Sequence, residues 1–522
     1  MSSFAPTAEQ AHIHELFRTG GSLRVRAGAG TGKTSTLVQL GGILEEQQRV
    51  GLYIAFNSSI AKEAGSKLPG SVAARTAHSL AFNYIAKHPD HAPLIDKLNA
   101  GRVPFHITRE RFNIRGAGFT GADGERRYLS AFVLGRHAAK TVDEFCKTAD
   151  PQIAAKHVPR VTGIHRDGHM SVVDVVLPIA RAMWADLLSP YGTGSTFTHS
   201  HYLKLWQLQY PIFGPEGAAL FVDEAQDISP VLADVIENQK HLQVVCVGDS
   251  AQAIYRFTGA TDFMSTFPAE HTGNLSRSWR FGDRIADAAN HMLGALGDDL
   301  RLTGNPGLDS VVDRGAADFD AILTRTNGAA LAQVIKALQR GERVHLMADT
   351  QYASNFLDAA EKLMAGEKPS FADFAAFDTW EQVVEYAEEA SDASDWKTLI
   401  SLLEDHTVDD LRAAFGGTVS ERDAELTICT AHKSKGREWD RVLLDDSLAV
   451  TLTRAEDMLE TEPSNRELAA KLRDEQMLSY VAITRAQQVL NPGRLLDANR
   501  NVSAAFTVGA TNRMDRALAL TR

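Results

Sequence analysis

The chain has 522 residues, 44% apolar and 23% charged, with a formal net charge of −12. At roughly 150 residues per domain, this length excludes a single core and points to about three or four domains. The acidity argues against a general nucleic-acid coat, no apolar run approaches the roughly 18–20 residues that span a bilayer, and three distant cysteines, Cys146, Cys246 and Cys429, argue against a disulfide scaffold or zinc ribbon.

In chain order, the first predicted strand is Leu23–Ala27. It runs into Gly28, Ala29, Gly30, Thr31, Gly32, Lys33, Thr34 and Ser35, where a helical stretch begins. Strand, glycine-rich loop and helix in this order form a phosphate cradle. Backbone N–H groups curl round phosphate oxygens, and the helix N-terminus adds positive potential. Lys33 would reach the β- and γ-phosphates and Thr34 would ligate Mg²⁺. Ala27 stands where the full pattern has glycine. A second strand is predicted at Gly51–Phe56.

From Tyr84 to Pro211 the pattern is mainly helical, with a glycine-rich break at Gly116–Gly124. Within it, Arg102–Lys140 has eight Arg and Lys against three acids, and carries Phe105, Phe112, Phe119 and Tyr128. Basic residues mixed with aromatics suit single-stranded nucleic acid, although a basic stretch is commonly only a solvated face. The apolar strand Ala218–Val222 then ends in Asp223 and Glu224. Two acids at a strand end could be a solvated turn. With a phosphate loop present they read as the Mg²⁺ ligand, Asp223, and the base for the attacking water, Glu224.

Strands are predicted next at Gln243–Val247, Ala321–Leu323, Glu425–Thr430 and Arg441–Leu444. The stretch from Thr350 to Asp410 is helical, and Phe371–Leu411 holds twelve acids against Lys397 alone. Its Trp380, Val383, Val384, Ala387, Trp396, Leu399 and Leu402 recur at helical spacing and predict a packed inner face. Strands alternating with helices predict an α/β protein with parallel sheets. No LSGGQ-like or NKxD sequence is present, so transporter ATPases and GTPases do not fit.

An ordered series of motifs resembles superfamily 1 DNA helicases of the UvrD, PcrA and Rep type. Pro6–Gln10 looks like their Q motif, with Gln10 reading adenine. Ile54–Ser58 and Thr76–Leu80 look like early DNA-contact motifs. Asp223–Asp227 reads DEAQD. Val247–Phe257 resembles the segment that couples the γ-phosphate to DNA. Leu275–Arg280, Thr430–Asp440 and Tyr480–Ala486 complete the series, with Ser278 and Trp279 standing for Asn and Tyr. Details in Thr430–Asp440, and Tyr202–Trp206, look most like the helicase core of F-box DNA helicases. No F-box is expected, since the chain begins a few residues before Pro6.

The resemblance implies two RecA-like P-loop lobes with parallel sheets, each interrupted by a mainly helical insertion. The expected boundaries are 1–84 and 211–270 for lobe one, with insertion 85–210. Lobe two is expected at 271–348 and 421–522, with the small acidic insertion 349–420. ATP would bind between the lobes. Lys33, Glu224, Gln252, Arg280 and Arg485 would act on it, the two arginines as fingers. Trp279 would stack on adenine and Glu438 would hold ribose. Phe56, Asn57, Thr76, His78, Tyr255, Phe257, His432 and Lys435 would contact single-stranded DNA. Phe257 replaces Trp, Thr258 lies where relatives often have Arg, and Ala55 where many have Phe.

The expected function is ATP-dependent, Mg²⁺-requiring translocation on single-stranded DNA and helicase action at single/double-strand junctions. The expected polarity is 3′→5′, in repair, recombination or replication. The alternatives are a translocase that strips proteins from DNA, and an ATPase subunit of a nuclease or defence complex docked through the acidic segment 371–411. No membrane partner is expected. The expected place is the cytoplasm, of a cell or for a phage-encoded protein, associated with the nucleoid through DNA.

Overall fold

The computed structural model describes residues 5–498 apart from 56, 121–125, 162–165, 257–258, 348–349, 370, 372–373, 375–376, 378 and 390–393. Two compact units emerge: residues 1–26 with 33–274, and residues 27–32 with 275–522.

The first sheet is built from β1 (Leu23–Ala27), β2 (Gly51–Ala55) and β3 (Val72–Thr76). After the hairpin strands β4 (Ala117–Thr120) and β5 (Arg126–Leu129) come β6 (Ala219–Val222), β7 (Gln243–Gly248) and β8 (His271–Leu275). The order is β3-β2-β6-β7-β1-β8. Strands β1 and β7 run parallel with Leu23 opposite Val245, and β2 and β6 run parallel with Tyr53 opposite Phe221. Every residue of β6 and β7 is buried, as expected for central parallel strands covered on both faces. The helix Lys33–Glu46 buries Leu37, Leu40, Ile43 and Leu44.

The helices Ala131–Lys147, Arg166–Leu188 and His199–Leu208 lie between β5 and β6 in the chain. Their Phe145, Val176 and Trp206 share one apolar core with Ile54, Val222 and Cys246 of the sheet. The insertion is therefore not separately cored. The expected glycine-rich break in the helical pattern at Gly116–Gly124 holds β4, which pairs antiparallel with β5, Ala117 opposite Leu129. The short strands Ala117–Thr120 and Arg126–Leu129 are too brief to show a period.

The second sheet comprises β9 (Val311–Val312), β10 (Ala321–Thr324), β11 (Val344–Met347), β12 (Leu426–Thr430), β13 (Trp439–Leu444) and β14 (Ala486–Asn491). Its order is β11-β12-β10-β13-β14-β9, with every neighbouring pair parallel. Both units are thus α/β, each built around a parallel sheet. Helices Thr350–Met364, Trp380–Glu389, Ser394–Asp405 and Val408–Gly416 intervene between β11 and β12. Val383, Ala387, Leu399 and Leu402 are buried, and Trp380, Val384 and Trp396 pack on the same cluster, which includes Ile322 and Ile428 of the sheet.

All three cysteines are buried free thiols, and burial pushes the Cys429 thiol up to about 12. Among the described residues, no helix is long and apolar enough to cross a membrane.

Candidate nucleotide and nucleic-acid site

Strand β1 delivers the chain into Gly28–Gly32, and the helix starts at Lys33. Gly30 and Gly32 take φ of 72° and 85°, a region that only glycine enters cheaply. Thr31 closes the loop by donating from Oγ1 to the Gly28 carbonyl at 2.9 Å. Thr34 is half-buried in the first helical turn and Ser35 is exposed. The Gln10 amide is buried and engaged at both ends. Its Oε1 accepts from the Thr7 N–H at 3.0 Å and its Nε2 donates to Thr36 Oγ1 at 3.2 Å.

The ends of β6 and β7 supply the charges. Lys33 Nζ donates to Glu224 Oε1 at 2.7 Å. Burial opposes the lysine's charge, but Glu224 and Asp223 outweigh it and hold the ammonium above the ordinary lysine value. Asp223 accepts from the Tyr53 hydroxyl at 2.5 Å and from the Glu224 N–H at 2.9 Å. Burial and the neighbouring Glu224 carboxylate raise its pKa, against the pull of Lys33. Gln226 Nε2 donates to Glu224 Oε2 at 2.6 Å, while its Oε1 accepts from the Asp249 N–H at 3.0 Å. Asp249 in turn accepts from Gln252 Nε2 at 2.8 Å. One network therefore joins Lys33, Glu224, Gln226, Asp249 and Gln252. Gly248 makes room for it, since a Cβ there would lie 2.3 Å from Gln226 Oε1.

This donor set fits a nucleotide phosphate with Mg²⁺. Thr34 and Asp223 offer the hard oxygens that magnesium takes. Among the described residues no three His, Cys, Asp or Glu side chains could hold a metal together. Magnesium here would complete its shell with phosphates and water. Tyr53, Gln226 and Asp249 went unassigned in the sequence. Tyr53 carried a signal, because a phenol in a buried strand requires a partner for its hydroxyl.

The second unit gathers other predicted residues. Arg280 Nε donates to Glu438 Oε2, and Nη1 to the Thr484 carbonyl at 3.0 Å. Arg485 is 2% exposed. It donates to the carbonyls of Val481 at 2.8 Å and Arg437 at 3.3 Å. Trp279 is 47% exposed, and its backbone N–H donates to the Gly30 carbonyl at 2.8 Å. The Ala29 N–H donates to the Tyr480 hydroxyl at 3.1 Å.

The residues expected to touch DNA fall on both units. Asn57 Oδ1 accepts from the Ile60 N–H at 2.9 Å and Thr76 Oγ1 from the Ser79 N–H at 3.1 Å. Both side chains thus cap helices, which is an ordinary use of Asn and Thr. His78 is exposed two residues further on, and Tyr255 is half-buried. His432 and Lys435 are half-buried on the second unit. Burial lowers His432 to about 4, with Arg325 and Lys435 adding to the shift. Phe56, Phe257 and Thr258 lie outside the described residues.

Comparison with known proteins adds four findings. The AAA domain family matches residues 10–258. F-box DNA helicase protein 1 of Schizosaccharomyces pombe is 26% identical, over 93% of this chain and 57% of its own length. F-box DNA helicase 1 of Gallus gallus is 28% identical, over 94% of this chain and 49% of its own. DNA helicase IV of Escherichia coli is 27% identical, over 59% of this chain and 51% of its own. The chain thus spans about half the length of these curated relatives.

Proposed function

The chain carries a superfamily 1, UvrD-like helicase core, and from that premise we propose that it is an ATP-driven motor that moves along single-stranded DNA with 3′→5′ polarity and opens duplex at junctions, in repair, recombination or replication. The observation that carries this reading is the Lys33–Glu224–Gln226–Asp249–Gln252 network at the ends of β6 and β7. It links a phosphate-loop lysine, a carboxylate able to act as base and the segment that leads to Tyr255.

In this reading Lys33 turns from Glu224 to the β- and γ-phosphates. Glu224, relieved of its ammonium partner, then accepts the proton of the attacking water. Thr34 and Asp223 would hold magnesium, whose charge would offset that of the phosphates. Gln252 senses the γ-phosphate, and Arg280 and Arg485 stabilise charge on the transferred phosphoryl. Arg280 must first leave Glu438, which is then available to ribose, while Trp279 stacks on adenine. The fit of Gln10 to adenine requires its amide to exchange Thr7 or Thr36 for the base.

The test is ATP hydrolysis with and without single-stranded DNA, followed by unwinding of duplexes carrying 3′ or 5′ tails. Stimulation by DNA and unwinding only from a 3′ tail are expected. Hydrolysis indifferent to DNA would overturn the motor reading, and unwinding only from a 5′ tail would overturn the polarity.

A further inference from the structure

The helix His199–Leu208 brings to His78 two residues outside any phosphate motif. Tyr202 is 3% exposed. Its hydroxyl lies 3.1 Å from Nδ1 of His78 and 3.1 Å from Nδ1 of His199. Both imidazoles are exposed, edge to face, with centroids 6.2 Å apart. A phenol has one proton to donate and lone pairs to accept with. It donates to one Nδ1 and accepts from the other, so whenever both rings are uncharged they hold opposite tautomers. In an imidazole the second nitrogen points away from the first, so each Nε2 faces away from Tyr202. One Nε2 is a donor and the other an acceptor. Adding one proton at the acceptor makes both donors and leaves both hydrogen bonds to Tyr202 intact. A second proton would have to take the Nδ1 lone pair that accepts from the hydroxyl, and would break that bond.

We propose that His78, His199 and Tyr202 form a proton-coupled pair that takes up one proton when a backbone phosphate of single-stranded DNA is held at His78. This rests on the reading of the surface around His78 as a DNA contact. The phosphate would meet two Nε2–H donors and one added positive charge where the uncharged pair offers one donor.

The surroundings suit such a device. Among the described residues, the titratable groups on Val72–Thr76, Pro93–Asn99 and His199–Leu208, which pack against the His78 helix, are Arg75, Asp96, Lys97, His199, His201, Tyr202 and Lys204. Arg75 donates to the Ala74 carbonyl, Lys97 to the carbonyls of Asp186, Leu187 and Ser189, and Lys204 to those of Thr148 and Asp150. His201 is turned to Thr198 and Asp143. His199 is the group whose charge acts on the His78 ring. Although His78 is exposed at the surface, the protein packed on one side of its ring partly desolvates it, and this, followed by His199, holds it below the usual histidine value, so it is neutral near neutral pH. A bound phosphate raises it. Binding therefore consumes a proton, and affinity increases as pH falls.

Two measurements on the full chain test this. The first is fluorescence anisotropy of a labelled oligo-dT between about pH 5.5 and 8.5 at fixed salt, the range in which histidine titrates. Wild type, His199→Ala and Tyr202→Phe are compared. The wild-type affinity should rise by up to about tenfold per pH unit, the limit for one linked proton, and both variants should lose most of that slope. The second is a histidine Cε1 NMR titration without DNA. His199→Ala should move the His78 midpoint upward, and Tyr202→Phe should release the fixed tautomers. Equal slopes in all three proteins, or a His78 titration indifferent to both variants, would overturn the pair. Coupled titration in a protein that does not bind oligo-dT would instead overturn the DNA reading of this surface, and the phosphate role with it.

Discussion

Glu224 occupies a left-handed backbone conformation, φ 51° and ψ 42°, which costs a non-glycine residue roughly 1–2 kcal/mol. The Lys33 and Gln226 hydrogen bonds to its carboxylate hold it there. Glutamine in its place keeps an oxygen for Lys33 but no basicity. Glu224→Gln should therefore retain nucleotide binding and lose about 100- to 10,000-fold in turnover, the usual worth of a general base. Phosphate release in the presence of DNA checks this, and a wild-type rate would remove Glu224 from the chemistry. His432 gives a pH prediction of a different kind. Its pKa is lowered to about 4, so any contact it makes near neutral pH is made by the uncharged ring. His432→Asn should shift oligo-dT affinity by one constant factor across roughly pH 6–8, well above that pKa. A shift that grew towards acid pH would mean that the ring is charged in the complex.

The helix His199–Leu208 is fixed from inside by Lys204, which is fully buried. Its ammonium donates to the carbonyls of Thr148 at 2.7 Å and Asp150 at 2.6 Å and to Gln207 Oε1 at 2.7 Å, 4.4 Å from the Phe145 ring centroid. Burial lowers its pKa to about 8. Lys204→Met fills the volume but strands those carbonyls, and should cost about 1–3 kcal/mol, the penalty for buried acceptors left without their donor. Urea unfolding measures it, and a loss under about 1 kcal/mol, the worth of one ordinary hydrogen bond, would show that water replaces the ammonium. This tether was not legible in the sequence, because a lysine in Tyr202–Trp206 says nothing about Thr148. The same limit governed the strands. β6, β7, β10 and β12 are buried along their whole length and read as apolar runs. Val72–Thr76 buries only Val72, and His271–Leu275 contains Gly273 and Asn274. Those two strands, with Val344–Met347 and Ala486–Asn491, carried too weak a pattern to be predicted. The phosphate loop and the acid pair were legible because each is contiguous in the chain. Tyr53 lies 170 positions from its partner Asp223, and His78 lies 124 from Tyr202, so only folding reveals those pairs.

For the molecule as a whole, charge is divided by segment rather than spread. Arg102, Arg109, Arg115 and Arg126 are exposed, as is Tyr128 at 72%. On the acidic side, Arg412 draws in Asp358 at 2.6 Å, Glu361 at 2.8 Å and Asp409 at 3.3 Å, and of these three only Asp409 belongs to the twelve acids of 371–411. Replacing those four arginines by Gln should weaken DNA binding and reduce the salt slope by about 0.7–0.9 for each phosphate no longer neutralised. Neutralising Glu381, Glu385, Glu404 and Asp409 should leave affinity unchanged or raise it. Salt titrations of oligonucleotide binding decide, and a marked loss from the acidic set in a folded protein would reverse the assignment. The strand order has a consequence for synthesis. β2 and β3 can pair as soon as both leave the ribosome, but β1 lies between β7 and β8, and Leu23 waits for Val245. At roughly 5–20 residues per second the wait is about 10–45 s. Throughout that time the glycine-rich loop has no sheet to anchor it, and Leu23, Val25 and Ala27, buried in the finished fold, stay without the strands that cover them.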